Sequence, residues 1–230
     1  MRAPVAIIAG GMATRLHPMT LKVPKSMVLV KGKPFIFWQL TLLAKSSVNK
    51  VVLCLGHMSE EIYSYVGDGR QFGLSVEYSI EEYPLGTGGA LLHAKSLLGD
   101  YFGILYGDSY LQIDYSKVEE TFFASRNSML MTIYKNFESL EPSNVEYVDG
   151  KVLAYSKKHQ TTRMKYIDYG FSVAHSSIFD YLSQIPSGDL SDLQAALSAD
   201  GLVGGLVIKN RYHEVGSFEG IQALESSLPN

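Results

Sequence analysis

VAIIAGGMATRLHPMTLKVPKSM, Val5 to Met27, is the stretch on which the reading of this chain turns. Val5 to Ala9 is an apolar run too short for a membrane span and suited to a buried strand. Gly10 and Gly11 then let backbone N–H groups approach an anion, and Arg15 and Lys25 bring positive charge to the same loop. The order reads as a phosphate-handling loop, with a polyphosphate nucleotide as its natural ligand. Other phosphate motifs do not fit: Met12 and Ala13 break both GxxxxGK[ST] and GxGxxG.

Outward from this stretch, apolar runs predict further strands at Val51 to Leu55, Ser75 to Ser79, Phe102 to Tyr106, Met129 to Tyr134 and Ile167 to Ala174. Helical spacing appears at Phe35 to Ser46, Ser59 to Tyr65, Gly88 to Leu98, Tyr115 to Ala124 and Ser217 to Glu225. Such alternation predicts an α/β fold of Rossmann-like type: a mixed, mostly parallel sheet with helices on both faces and ligands at the carboxyl ends of the strands. Asn144 to Lys157 breaks the alternation, since Asp149-Gly150 between two alternating segments is a hairpin signal. No repeat or low-complexity tract divides the chain, so residues 1–230 read as one domain with two lobes, about 1–113 and 114–230.

Composition narrows the function. The chain has 230 residues, 46% of them hydrophobic, enough to bury a sizeable core. A net charge of −3 and the lack of a long basic run argue against nucleic acid or a membrane surface as partner. The single cysteine, Cys54, lies in the apolar run VVLCL and reads as a buried, inert thiol in a reducing, cytoplasmic setting. No signal-peptide layout and no apolar run of membrane-spanning length is present. GxSxG and HExxH are absent, and the six histidines lack metal-ligand spacing. His17 reads as a polar loop residue. The apolar start of the Phe35 helix suits core better than interface, and a homo-oligomer stays open.

Gly10-Gly11-Met12-Ala13-Thr14-Arg15-Leu16 followed by Pro24-Lys25-Ser26-Met27 resembles the GGxGTRL…PKPM signature of the sugar-phosphate nucleotidylyltransferases. Ala13 stands for the family's usual glycine and Ser26 for its proline. The resemblance implies transfer of a nucleotidyl group from a nucleoside triphosphate to a sugar 1-phosphate with release of pyrophosphate. It implies that Ala9, Gly10, Gly11, Met12, Ala13 and Thr14 bind nucleotide, with Arg15 and Lys25 stabilising charge on the phosphates.

FGILYGDSY, Phe102 to Tyr110, ends an apolar strand in Gly107-Asp108, so the carboxylate projects into the expected crevice. By itself a strand-end aspartate is often a turn former; with the family's strand-plus-GD motif, Asp108 becomes the first Mg²⁺-ligand candidate and a catalytic one. The second is Glu214, in YHEVGS, which resembles the family's WxDxGT element with glutamate for aspartate and serine for threonine. Mg²⁺ held by one or two carboxylates takes its remaining ligands from phosphates and water. The alternative for Glu214 is an exposed residue before the helix that Ser217 caps.

EEYPLGTGG, Glu81 to Gly89, resembles the family's base-recognition motif. Pro84, Gly86, Gly88 and Gly89 read as a tight turn opening a helix, so backbone amides could meet base or ribose, beside the alternative of an ordinary helix entry, and the resemblance adds Thr87 to the nucleotide-binding candidates. Glu81 stands where thymidylyl and uridylyl members often carry glutamine. A carboxylate only accepts hydrogen bonds; guanine offers donors at N1 and N2, whereas uracil and thymine flank one N–H with two acceptors. GTP is the expected nucleotide, with Glu82 as the competing reader. Lys157 falls at the family's EKP lysine, with Lys158 as its rival. Ile167-Asp168-Tyr169-Gly170 occupies the NxG position, so Asp168 and Gly170 are sugar-binding candidates. Within the family the chain most resembles the D-glycero-α-D-manno-heptose 1-phosphate guanylyltransferases, with mannose 1-phosphate as the nearest competing sugar. A different class of answer is a silent relative that binds sugar nucleotide without turnover.

Overall fold

Runs that are apolar at every position mark strands buried on both faces, and Val5–Ile8 is the clearest case: all four residues are buried. The computed structural model describes residues 1–11, 23–136, 142–185 and 188–228. Its strands are β1 Val5–Ile8, β2 Leu29–Val30, β3 Lys33–Pro34, β4 Lys50–Leu55, β5 Ser75–Ile80, β6 Tyr101–Tyr106, β7 Ser109–Tyr110, β8 Met129–Lys135, β9 Val145–Val148, β10 Lys151–Tyr155, β11 Tyr166–His175, β12 Val203–Ile208 and β13 His213–Glu214. Its helices are α1 Phe35–Lys45, α2 Ser59–Val66, α3 Gly86–His93, α4 Lys95–Leu98, α5 Tyr115–Ala124, α6 Ile178–Leu182, α7 Leu190–Ala199 and α8 Phe218–Ser227.

Among the described residues one nine-stranded sheet runs β5-β4-β1-β6-β11-β8-β12-β10-β9. β5, β4, β1 and β6 are mutually parallel, so their carboxyl ends share one edge. β11 enters antiparallel between β6 and β8, and β12 returns parallel to β8. The β9/β10 hairpin closes the far side. Alternate residues of each strand face opposite layers. Val5 and Ile7 pack with Ile36, Leu40 and Leu43 of α1, Ile62 and Val66 of α2, and Val118 and Phe122 of α5. Ala6 and Ile8 pack with Ala90 and Leu91 of α3, Phe179 of α6, and Leu193 and Leu197 of α7. The sheet is mixed and covered on both faces, as the alternation of patterns predicts. No helix among the described residues is long and apolar enough to cross a membrane.

One expectation needs correction: the helix expected over Gly88 to Leu98 is two pieces, α3 and α4, meeting at Ala94. The strand expected over Ile167 to Ala174 is present within β11, whose pairing with β8 carries a register shift between Asp168 and Ser172. α6, α7 and β12 were not anticipated; β12 reads VGGLVI, and paired glycines are poor strand formers that hide its pattern. The Asp149-Gly150 hairpin is present, with φ of +44° and +86°, the two positive angles that a type I′ turn requires.

Candidate active site

The shared carboxyl edge of β1, β4 and β6 builds the first part of the site. Ala9 N donates to Cys54 O at 2.9 Å and Gly107 N to Ile8 O at 2.9 Å, so the three strand ends are stitched together. A Cβ on Gly107 would lie 2.6 Å from Ala9 Cβ and 2.7 Å from Ile8 O, so this close approach admits only glycine. Asp108 then turns outward. Its Oδ2 accepts from Lys25 Nζ at 2.6 Å, an ion pair part-buried at both ends. Lys25 is presented by a 3₁₀ turn, Lys25–Met27. β13 pairs with β7, setting Glu214 opposite Ser109, and Val215 N donates to Asp108 O at 2.9 Å.

Three adjoining depressions run along this edge. One of about 240 Å³ is lined by Gly10, Gly11, Glu81, Pro84, Gly86 and Thr87. The next, about 190 Å³, shares Ile8, Gly11 and Thr87 with it and adds Ala9, Lys25 and Asp108. The third, about 320 Å³, shares Tyr106 and Asp108 with the second and adds Lys157, Asp168, Gly170 and Glu214. Apart from the alternatives Glu82 and Lys158 and the turn residues Gly88 and Gly89, every described candidate residue therefore lines one of these three adjoining depressions. Met12, Ala13, Thr14 and Arg15 lie outside the described residues.

In the first depression Glu81 follows β5, anchored by its N–H to Leu55 O at 2.9 Å. Its side chain fills the room left by two glycines: a Cβ on Gly10 or Gly56 would come within 2.9 and 2.8 Å of Glu81 Oε1. Burial pushes the Glu81 carboxyl above its ordinary value, partly offset by the Leu85 N–H and the charge on His93. Glu82 is exposed and lines none of these depressions. One expectation about the loop is corrected: the amides of Gly88 and Gly89 donate to Gly188 O at 2.7 and 2.9 Å and are spent inside the protein. Thr87 is likewise tied down, its Oγ1 donating to Asp189 Oδ1 at 3.0 Å and accepting from Leu190 N at 2.9 Å.

In the third depression, Lys157 Nζ lies 5.3 Å from the centroid of the Tyr106 ring, while Lys158 sits outside in an exposed ion pair with Asp192. Asp168 Oδ1 accepts from Gly170 N at 3.0 Å, and Oδ2 from Gln194 Nε2 at 3.3 Å. Burial raises the Asp168 carboxyl, opposed by the Lys157 charge and by these two donors. Gly170 has φ +101°, which the bulge between Asp168 and Ser172 demands.

Negative charge gathers at the junction of the second and third depressions. Burial first, then Asp168, Asp189, Asp108 and Glu214, push the Tyr106 hydroxyl far above its ordinary value, so it stays protonated. Among the described residues no group of three or more His, Cys, Asp or Glu is placed to hold a metal ion. Asp108, just before β7, and Glu214, on the paired β13, line the same cavity and instead fit an oxygen-seeking cation whose remaining ligands come from phosphate and water.

Sequence reasoning missed three polar side chains that hold this arrangement. Gln39, on α1, donates to Tyr106 O and Ser109 O; Gln194, on α7, donates to Asp168; Asn144 Oδ1 accepts from Asp168 N. Gln39 and Gln194 sit on buried helix faces at which a hydrophobic residue is the ordinary choice, and that oddity is the signal that could have found them.

The model of the Nucleotidyl transferase family matches residues 5–182. The D-glycero-alpha-D-manno-heptose 1-phosphate guanylyltransferase of Aneurinibacillus thermoaerophilus is 30% identical over 175 residues, 76% of this chain and 75% of that protein. The Mycobacterium tuberculosis mannose-1-phosphate guanylyltransferase is 27% identical over 93% of this chain but 61% of its own length. Among solved structures, HddC from Yersinia pseudotuberculosis complexed with GMP-PN superposes with a TM-score of 0.81 at 24% identity, covering 98% of this chain and 99% of that one. UTP-bound UGPase from Acinetobacter baumannii gives 0.82 at 18%, covering 99% and 93%. These two likenesses establish the fold. With the family model spanning most of its length and a relative 30% identical over three quarters of both chains, the chain belongs to the Nucleotidyl transferase family, as a sugar-phosphate nucleotidylyltransferase.

Proposed function

We propose that this chain transfers a guanylyl group from GTP to a sugar 1-phosphate, D-glycero-α-D-manno-heptose 1-phosphate in first place, releasing pyrophosphate. The observation that carries the base assignment is the Glu81 carboxylate walling the first depression between Gly10 and Gly56. As an acceptor only, it complements the N1 and N2 donors of guanine and opposes the carbonyls of uracil and thymine. The heptose assignment rests on the relative from A. thermoaerophilus; the mannose 1-phosphate enzyme of M. tuberculosis supports mannose 1-phosphate as the second reading.

In this reading the base sits against Glu81, Pro84, Gly86 and Thr87, the phosphates beside Ala9 to Thr14, and the sugar phosphate against Lys157, Asp168 and Gly170. Residues 1–113 serve the nucleotide and 114–230 the sugar, with Glu214 reaching back to Asp108. Two anions must meet: like unit charges 4 Å apart repel by about 4 kcal/mol at an effective dielectric of 20. Lys25 lies beside Asp108 to hold triphosphate oxygens, Lys157 faces the sugar phosphate, and Arg15 is assigned to charge growing at the α-phosphate. The sugar phosphate oxygen attacks the α-phosphorus in line, so the protein's part is positioning and charge stabilisation with no covalent intermediate. Mg²⁺, when held by Asp108 and Glu214, supplies further neutralisation of the phosphate charge. The buried, unpaired thiol of Cys54, pushed up to about 12 by burial, suits a reducing cytoplasm.

The test is pyrophosphate release with Mg²⁺, in a matrix of GTP, UTP and dTTP against the heptose and mannose 1-phosphates. Release confined to GTP plus heptose 1-phosphate is expected. A preference for mannose 1-phosphate moves the sugar assignment, and a preference for UTP or dTTP refutes the base assignment. GDP-sugar binding with no release from any pair replaces the enzyme with a silent binding protein.

A further inference from the structure

We propose that Gln39 is a positioning residue that holds the Asp108 turn in its working shape. Gln39 is 1% exposed on α1, among the buried Phe35, Ile36, Leu40 and Leu43. Its Nε2 donates to Tyr106 O at 3.0 Å and to Ser109 O at 2.8 Å, the two residues that flank Gly107-Asp108. An amide nitrogen carries two protons, and both are used to draw the flanks of this turn together. The two carbonyls also fix which end of the amide is nitrogen. The middle of the turn is held separately, by Gly107 N to Ile8 O and by Val215 N to Asp108 O.

The other end of the same amide argues that stability alone does not account for it. Gln39 Oε1 is buried and has no hydrogen-bond partner among the described residues. A buried polar atom without a partner costs stability, so the amide gives back at Oε1 part of what its two donated bonds contribute, while methionine, of similar length and apolar, would fill the same space. What methionine cannot do is hold Tyr106 and Ser109. Tyr106 and Asp108 form the wall shared by the second and third depressions, so movement of this turn moves the point at which the two substrates meet. Glutamate keeps the shape of Gln39 but, ionised, presents acceptors to two carbonyls and would push the turn open.

The inference rests on the reading of Asp108 as the metal-binding carboxylate of the proposed reaction, so its test includes a measurement independent of turnover. Mn²⁺ binding to the protein–GTP complex, followed by electron paramagnetic resonance, is compared in wild type, Gln39→Met, Gln39→Glu and Leu43→Val. The last trims the core on the same helix without touching the turn. Loss of an outer partner of a metal site weakens metal binding or activity by about 10–100-fold. Both Gln39 variants should weaken Mn²⁺ binding and lower kcat by factors in that range, with KM for the sugar phosphate within about twofold of wild type. Leu43→Val should lower Tm and leave Mn²⁺ binding unchanged. Wild-type Mn²⁺ binding and kcat in Gln39→Met would overturn the proposal. So would failure of both Gln39 variants to fold where Leu43→Val folds, because the amide would then be a determinant of stability. Absence of pyrophosphate release from the wild type would defeat the guanylyltransferase reading instead, while the Mn²⁺ comparison still decides the role of Gln39.

Discussion

At the scale of single residues, the proposed function puts the chemistry on Asp108 and Glu81, and each makes a separable prediction. Asp108→Asn keeps the shape of the side chain but removes the charge that pairs with Lys25 and would hold Mg²⁺. Turnover should fall by about 10²–10³-fold, the scale seen when one electrostatic group of a reaction centre is lost, with Tm little changed because the pair is part-exposed. Near-normal pyrophosphate release from that variant would remove Asp108 from the site. Glu81 has a raised carboxyl pKa, so its acceptor form is present above that value and lost as pH falls through it. The KM for GTP should therefore rise on acidification at a higher pH than an ordinary glutamate, near 4.5, would produce, and a pH profile of KM checks this. Glu81 stood out in the sequence because the chemistry of its type contrasts with glutamine, and the structure puts it in the wall of the first depression. Lys157 and Lys158 could not be told apart in the sequence, since only the fold turns one into the cavity and pairs the other with Asp192.

At the scale of elements, what positions the site is a set of turns and one helix. Gly107→Ala would drive a Cβ into the backbone of β1, and overpacking of this kind costs about 1–3 kcal/mol. Urea denaturation should register that loss, with kcat falling because Asp108 is displaced. α7 holds both ends of the row of depressions: its N-cap Asp189 accepts from Thr87 at the first, and its Gln194 donates to Asp168 at the third. Asp189→Ala loses a cap worth about 1 kcal/mol and should raise KM for GTP and sugar phosphate together; a change in one KM alone would show that α7 does not couple them. The parallel strands were legible because burial on both faces leaves unbroken apolar runs, and the hairpin because Asp149-Gly150 admits two positive φ angles. α7 and β12 were not, although Asp189 before LSDLQAAL carries a recognisable capping signal. The short β7/β13 pair lies below what periodicity can resolve, yet it is what brings Glu214 beside Asp108.

At the scale of the whole molecule, a parallel edge and an inserted antiparallel strand give three adjoining depressions, which the proposed function reads as a base end, a phosphate middle and a sugar end of one trench. Filling it should stabilise the fold: a ligand at one hundred times its Kd adds about 2.7 kcal/mol, or roughly 5–10 °C in Tm for a chain of this size. GTP with Mg²⁺ should produce that shift, and dTTP at equal concentration a smaller one. An equal shift from both would mean that binding is carried by the phosphates alone. The most direct measurement is therefore the ratio of kcat/KM for GTP to that for dTTP, with heptose 1-phosphate, in wild type and in Glu81→Gln. Base-edge contacts discriminate by about 1–3 kcal/mol, or roughly 5–150-fold, so a wild-type ratio well above one that collapses in the variant is predicted. A wild-type preference for dTTP, or a ratio that Glu81→Gln leaves unchanged, would contradict it.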